Sequence, residues 1–496
     1  MKIEQTYDVL CVKTFFEEES SFSSFLTYRN KVRQRLVDKE EIRMANSTKS
    51  LTNTKIVRKP AQTAVQTINA DVCIVGAGIA GVSAAVEAAR LGNKVVLVDG
   101  MPVLGGLAGN ACMGLFCGFF SNGRIPFQLT YGIAEEFFHD LRQSGNLYFA
   151  PPIAVYDEVA LTRWMEEKVR GAGVTVLLNT LIYKVNSQDR RISSIEFTNR
   201  YGMVSVAATG YIDASGDASV AWNAGLPCRE SATGPLYGTQ LMMLEKVHAI
   251  TPKDQPEVEA EASKVLMEKA ADYGLLRKSG FIKFTSPFGK GTAYVNMTHV
   301  ETPLDPLQSS LKSIEGKEQA DRVLQLLKTE LPDVFSNASI RKYGVMGIRQ
   351  TRWIVGRKQI KLTEVTAGTR YSDAVARSSW PVELHNHPEG YVWKKFPDEH
   401  IHYVPYSSMI SPEMDNLVAC GRCIDGESAA LSSVRVMGPC VATGKAAAHA
   451  LDLADTQSVH DIDINLLQER LKDNLDRMDK MFKLIKHMPL PAEVVG

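Results

Sequence analysis

The run Asp71-Val72-Cys73-Ile74-Val75-Gly76-Ala77-Gly78-Ile79-Ala80-Gly81 joins four apolar residues directly to a glycine turn. Val72 to Val75 suits a short parallel strand buried on both faces. Val82 to Leu91 is rich in alanine with apolar residues at helical spacing, and Gly92 sits where a left-handed helix cap is wanted. Lys94 to Val98 reads as a second strand, ending in Asp99. Strand, glycine turn, helix, strand and acid together form a dinucleotide-binding unit, whereas the glycine pattern alone is weak. Gly76 permits the tight turn, Gly78 lets the backbone approach a pyrophosphate, and Gly81 allows the helix to pack closely on the strand. The helix N-terminus presents free amides to the anion. Asp99, roughly twenty residues on, is placed to accept hydrogen bonds from ribose hydroxyls, which fits NAD and FAD equally.

The rest of the chain bounds this reading. Its 496 residues give two or three domains' worth of core, and 45% hydrophobic with 23% charged content is that of an ordinary globular protein. Lys plus Arg and Asp plus Glu each number 56, so no excess positive charge is available for nucleic acid or an anionic membrane. Neither is an expected partner; a small molecule is. Eight cysteines spread over so long a chain point to free thiols and a cytoplasmic setting. Met1 to Ser21 carries Glu17, Glu18 and Glu19 where a secretory signal would be apolar. The uncharged run Met101 to Gly123 nearly reaches membrane-spanning length, but Gly105, Gly106, Gly109, Gly114 and Gly118 make it a cofactor-lining loop.

Residues 1–69 form a polar arm, expected to be disordered, within which Met44 is an alternative start. Residues 70–220 are the first part of the nucleotide-binding domain. There, Val159 to Gly171 reads as a helix and Val174 to Leu178 as a strand. Leu181 to Val185, Ile192 to Thr198 and Met203 to Ala208 form a β-meander. Residues 221–410 form an inserted α+β substrate domain, with helices at Glu257 to Leu275 and Glu318 to Leu331 and a strand at Ala293 to Met297. Residues 411–455 close the nucleotide-binding domain and 456–496 are a helical tail. The fold class is α/β, a Rossmann-like domain with a β-meander and an inserted α+β domain.

Met101-Pro102-Val103-Leu104-Gly105-Gly106-Leu107-Ala108 brings a second glycine pair just past the second strand, and here the chain resembles the glutathione-reductase-like FAD-binding folds. Ile212-Asp213-Ala214-Ser215-Gly216-Asp217, Gly347-Ile348-Arg349-Gln350-Thr351-Arg352, and Gly421-Arg422-Cys423 through Ser433-Val434-Arg435-Val436-Met437 sharpen the resemblance to the FAD-dependent oxidoreductase family. The resemblance implies FAD as cofactor. It places the ADP half against Gly76, Ala77, Gly78, Ala80, Gly81 and Asp99, and the ribityl chain beside Gly106 and Leu107. Ile182 would meet the adenine through its backbone, and Ala214, Ser215 and Gly216 would line the adenosine side. Gly421, Arg422, Met437 and Gly438 would bring the closing helix, Val441 to Leu453, to the flavin. Cys420, where a small apolar residue is usual, and Ser215, where threonine is commoner, depart from the pattern without threatening flavin binding.

Catalysis is less legible. Cys112 and Cys117 are either a redox disulfide beside the flavin or two small apolar residues in its loop, and the second reading is preferred because the spacing from the glycines is wrong. Candidates for the chemistry are His385, His387, Tyr406 and Arg349. His385, His387, His400 and His402 share an aromatic stretch and are loop surface residues by default. Arg349 and Arg352 either clamp a carboxylate or bridge helix to sheet, the bridge being preferred. No metal is expected, because neither the paired histidines nor Cys420-x-x-Cys423 has further partners at ligand spacing. The expected function is oxidation of a small organic substrate by hydride transfer to flavin. The alternatives are an NAD(P)H-dependent monooxygenase and a non-enzymatic protein of the same fold that has lost flavin.

Overall fold

Strand β1 (Gln66–Val75) leads through the glycine turn into helix α1 (Ile79–Arg90) and strand β2 (Val95–Val98). In this computed structural model the described residues are 65–479 apart from 151, 152, 233, 235, 249, 252, 286 and 287, with 54–58 and short pieces between 27 and 41. Most of the arm expected over 1–69, the choice between Met1 and Met44, and residues 480–496 lie outside them. Helix α2 (Glu158–Gly171) returns the chain to β3 (Thr175–Leu177), and the meander follows as β4 (Leu181–Gln188), β5 (Arg191–Asn199) and β6 (Gly202–Asp213). The sheet order is β3-β2-β1-β6-β5-β4, parallel from β3 to β6 and antiparallel from β6 to β4.

Strand β1 starts at Gln66, ahead of the expected boundary at Ala70, because it pairs with β6 from Gln66↔Val204 to Val75↔Asp213. Alternation along the strands divides the core. Ile74, Leu97 and Ile212 face the helix layer with Val82 and Val86, whereas Cys73, Val96 and Tyr211 face the opposite side with Ile195 and Phe197.

The inserted region carries its own core. Strand β7 (Met242–Glu245), helix α3 (Gln255–Lys269), β8 (Phe281–Phe284), β9 (Ala293–Asn296), helix α4 (Pro306–Glu330) and β10 (Ser339–Tyr343) make an antiparallel sheet of order β8-β9-β7-β10, with both helices packed through Leu266, Val323 and Leu327 on Leu244 and Val295. Helix α3 stops before the expected Leu275, passing into a tighter turn over Ala270–Tyr273. Helix α4 starts before the expected Glu318, because Asp305 caps it by accepting the Gln308 N–H at 2.7 Å with Pro306 in the first turn.

Strand β11 (Ala374–Ser378) precedes the hairpin β12 (Val382–His387) and β13 (Gly390–Lys394), and β14 (His402–Pro405) pairs back with β11. Strand β15 (Leu417–Ala419) then joins the main sheet beside β6, from Tyr211 to Asp213, beyond the point where β5 leaves it at Val206. Helix α5 (Met437–Ala454) lies on α1 so closely that a Cβ at Gly444 would stand 2.2 Å from the Ala80 carbonyl oxygen. Buried Arg377 donates to the Leu475 carbonyl at 3.2 Å, which seats the helical tail against β11.

Candidate active site

A cleft of about 1670 Å³ opens where β1, β2 and β6 end. This is where an open parallel sheet binds ligands. Its first half is the glycine turn. Gly76 has φ +103, and a Cβ there would stand 2.3 Å from the Ala214 carbonyl oxygen. At Gly81 a Cβ would stand 1.8 Å from the Gly76 oxygen. Gly78 differs, since a Cβ there meets nothing within 4 Å and points into the cleft. The second glycine pair folds onto the first. Gly105, at φ +94, donates its N–H to the Ala77 carbonyl at 2.9 Å, and a Cβ on Gly106 would lie 2.8 Å from the Gly78 Cα. The run 101–123 is thus a loop carrying the short helix Gly106–Asn110 and the two-residue strand Leu115–Phe116, and among the described residues no helix is long and apolar enough to cross a membrane.

Asp99 accepts N–H groups from Ala77 at 2.5 Å and Met101 at 2.7 Å, which fixes its carboxylate at the cleft wall. Ala80, Leu107, Ile182, Ala214, Ser215, Gly216, Gly421, Arg422 and Met437 also line the cleft. Ala77, Gly81 and Gly438 do not. Ala77 is fully buried, Gly81 is the contact of helix on turn, and a Cβ on Gly438 would lie 2.0 Å from the Gly118 carbonyl oxygen. The Gly438 N–H is already given to the Cys117 carbonyl, so α5 brings its first turn to the cleft with one of its amides engaged.

Asp213 organises the adjoining turn. Buried at the end of β6, its carboxylate accepts the Ser215 hydroxyl at 2.6 Å and the Val220 N–H at 2.8 Å. Burial raises its pKa. Cys423 accepts the Gly216 N–H through sulfur at 3.1 Å. Cys112, Cys117, Cys420 and Cys423 are all free thiols.

The second half of the cleft is built by the inserted region. Asn296, Arg349, Trp380, Glu383, Tyr391 and Trp393 line it, with Arg435 reaching in from the closing segment. Of the four residues expected for chemistry, only Arg349 lines the cleft; its guanidinium donates to the Tyr237 carbonyl at 2.9 Å. His385 lies directly behind Glu383, its Nε2 2.9 Å from Glu383 Oε1 and its Nδ1 2.9 Å from Nε2 of His299. Residues two apart on a strand share a face, which puts Glu383 and His385 together. The register shifts between Leu384 and His387, and this irregularity turns His387 out to solvent. Tyr406 is buried away from the cleft, with its hydroxyl donating to the Val459 carbonyl at 2.8 Å. A Tyr406→Phe chain should therefore keep its flavin content and turnover and lose only about 1–2 kcal/mol of stability, read as a small fall in melting temperature.

His400 packs on Phe396 and contacts the Val365 carbonyl, and His402 contacts Ser433 Oγ at 2.8 Å, its pKa pulled to about 3 by burial. The aromatic stretch is thus largely interior. Glu383, His299 and Arg277 are not singled out by the sequence, and Arg435 stands there only within the motif Ser433 to Met437, with no role of its own. For Glu383 the alternation Glu383-x-His385 is the signal that could have exposed it.

A single-fingerprint dinucleotide-binding sheet, a meander, an antiparallel insertion and a closing strand and helix at the cleft define a flavoprotein oxidoreductase. The chain belongs to the FAD dependent oxidoreductase family, whose model matches residues 71–471. FAD is the cofactor of that family, and the open space facing Gly78, with the fixed carboxylate of Asp99 nearby, fits its diphosphate and ribose. Solved structures similar to the chain include a geranylgeranyl bacteriochlorophyll reductase-like protein from Thermoplasma acidophilum, 14% identical over 82% of this chain and 85% of that one, with TM-score 0.43. The flavin-dependent brominase Bmp2 is 13% identical over 82% and 83%, TM-score 0.44. The OxyS anhydrotetracycline hydroxylase from Streptomyces rimosus is 10% identical over 82% and 66%, TM-score 0.42. No curated protein matches the chain in sequence.

Proposed function

We propose that the chain is a dehydrogenase or oxidase in which a small organic substrate itself reduces the FAD. The observation that carries this reading is the strand pairing of the inserted region. Among the described residues between 221 and 410 every strand pair is antiparallel, so that region holds no second βαβ unit of the kind that seats a nicotinamide dinucleotide.

In this reading Gly76, Gly78 and Asp99 hold the ADP half of the cofactor. Gly106, Leu107, Gly421 and Met437 flank its flavin half. Bound there, FAD supplies an acceptor for a hydride from a substrate C–H bond. The chain contributes position and exclusion of water. Trp380, Trp393 and Tyr391 form an aromatic wall, with Trp380 and Trp393 edge to face at 5.8 Å and Tyr391 stacked on His385 at 4.6 Å.

The test is anaerobic stopped-flow reduction. NADH and NADPH should bleach the flavin slowly or not at all, and a small organic substrate should bleach it rapidly and saturably. Fast, saturable bleaching by NADPH alone would place the chain among the flavin monooxygenases instead.

A further inference from the structure

We infer that the inserted-region half of the cleft takes an organic carboxylate, held by Arg349 and Arg435, and that Glu383 receives the proton this substrate releases. The inference rests on the reading above, in which the substrate reduces the cofactor. Arg349 and Arg435 line the cleft and Arg277 stands behind them, donating to Asn296 Oδ1 at 2.8 Å and to the Thr298 carbonyl. Arg349 donates to the Tyr237 carbonyl, and Arg435 to the backbone carbonyl of Glu383 at 3.2 Å. Nη1 of Arg435 and Nε of Arg277 are buried without any partner.

Among the described residues no carboxylate is ion-paired with any of the three, since the nearby Glu383 carboxyl is engaged by His385 and by Trp380 Nε1 at 2.9 Å. Burial and the neighbouring Arg349 pull Arg277 and Arg435 down to about 9, still cationic at neutral pH. Uncompensated buried guanidiniums are costly, and an anion seated between them removes that cost. Their planar forks match a carboxylate, and the aromatic wall suits an unsaturated or ring-bearing body.

The proton count of the adjacent chain gives Glu383 its part. His299 Nδ1 faces the Pro388 carbonyl at 3.1 Å and must donate to it. Its Nε2 therefore accepts from His385 Nδ1. The remaining contact sets His385 Nε2 against Glu383 Oε1 at 2.9 Å, two lone pairs unless a third proton lies between them. So Glu383, His385 and His299 together have hydrogen-bond places for one proton more than a carboxylate and two neutral imidazoles supply. Burial, with Arg349 and Arg277, strongly lowers the His385 pKa and disfavours its imidazolium.

Oxidation of an alcohol or amine breaks a C–H and an adjacent O–H or N–H bond and leaves a C=O or C=N. The electron pair goes with the C–H hydrogen as hydride to FAD, and the other proton goes to Glu383, at the cleft wall, where it fills the place facing His385 Nε2 and leaves both imidazoles neutral. His385 and His299 are positioning residues that act through Glu383.

The test uses oxidised holoenzyme and benzoate, followed by the change in visible flavin absorbance. Benzoate should bind saturably, with uncharged benzamide about tenfold weaker or worse, and Arg349→Met should weaken benzoate about tenfold while retaining flavin. Equal affinity for the two probes in the unmodified holoenzyme would overturn the anion site, whatever the variant does.

For the proton, Glu383→Gln, whose amide can donate to His385 but cannot take a proton, should retain flavin and slow its anaerobic bleaching by a hydroxy or amino acid by about tenfold or more. A variant bleached at the native rate would overturn the role of Glu383. Benzoate binding without reduction by any organic acid would sink the substrate-reduction reading and leave the anion site standing. Rapid bleaching by an uncharged alcohol in a protein indifferent to benzoate would do the reverse.

Discussion

A Gly78→Val chain should fold, melt where the native apoprotein melts, and purify without FAD. At Gly78 φ is −68° and ψ −178°, an extended backbone that valine adopts readily, and a Cβ there meets no protein atom within 4 Å. The substitution therefore costs the empty fold little. All of its cost falls on the ligand, because the branched side chain fills the space into which the diphosphate must come. Displacing that contact should weaken FAD by roughly a hundredfold or more, about 3 kcal/mol. Flavin per folded chain and the melting temperature of the apoprotein are the two readouts. Full occupancy would remove the glycine turn from the cofactor site, and an unfolded variant would show that Gly78 serves packing. Gly81→Val is the contrast, since its Cβ would collide with the Gly76 carbonyl and it should fail to fold.

The second large effect lies at Gly444, in the middle of α5. A Cβ there would stand 2.2 Å from the Ala80 oxygen and 3.0 Å from its carbonyl carbon. Both are backbone atoms in the first turn of α1, so no side chain can swing aside. Alanine is worth about 1 kcal/mol more than glycine in an isolated helix, yet here the helices must separate to admit it. Gly444→Ala should cost about 3 kcal/mol net, the upper end for one carbon added to a packed interior. It should also loosen FAD, because α1 carries the glycine turn. Gly171→Ala is the control: a Cβ at the end of α2 meets nothing within 4 Å, and that chain should match or slightly exceed the native melting temperature. Equal melting of both variants would mean that α1 and α5 are not in such close contact.

The two glycines also show how differently sequence positions reveal their work. Gly78 was readable because its task is local, set by a strand before it and a helix after it within one turn of chain. Gly444 sits in an alanine-rich helix with nothing around it to single it out, and its partner is more than 350 residues away. The same division runs through the cleft. The glycines, Asp99 and the run Ala214 to Gly216 belong to short motifs whose backbone geometry is encoded by neighbours. Glu383, His385 and His299 come together across a hairpin and a separate strand end, and only His385 carried any hint of it.

What the amino-acid order determined alone was therefore the dinucleotide-binding sheet, the family and most of the backbone that lines the first half of the cleft. Alternation of apolar residues has a period of two in strands and near four in helices, and glycine conformations act over a few residues, so both can be read from a single stretch of chain. Tertiary structure alone decided which side chains meet in the other half of the cleft. It turned His387 outward through a one-strand irregularity, buried Tyr406 against Val459, and brought Arg277, Arg349 and Arg435 around Glu383. Burial and electrostatic fields depend on distances in space between residues far apart in the chain, and no periodicity records them.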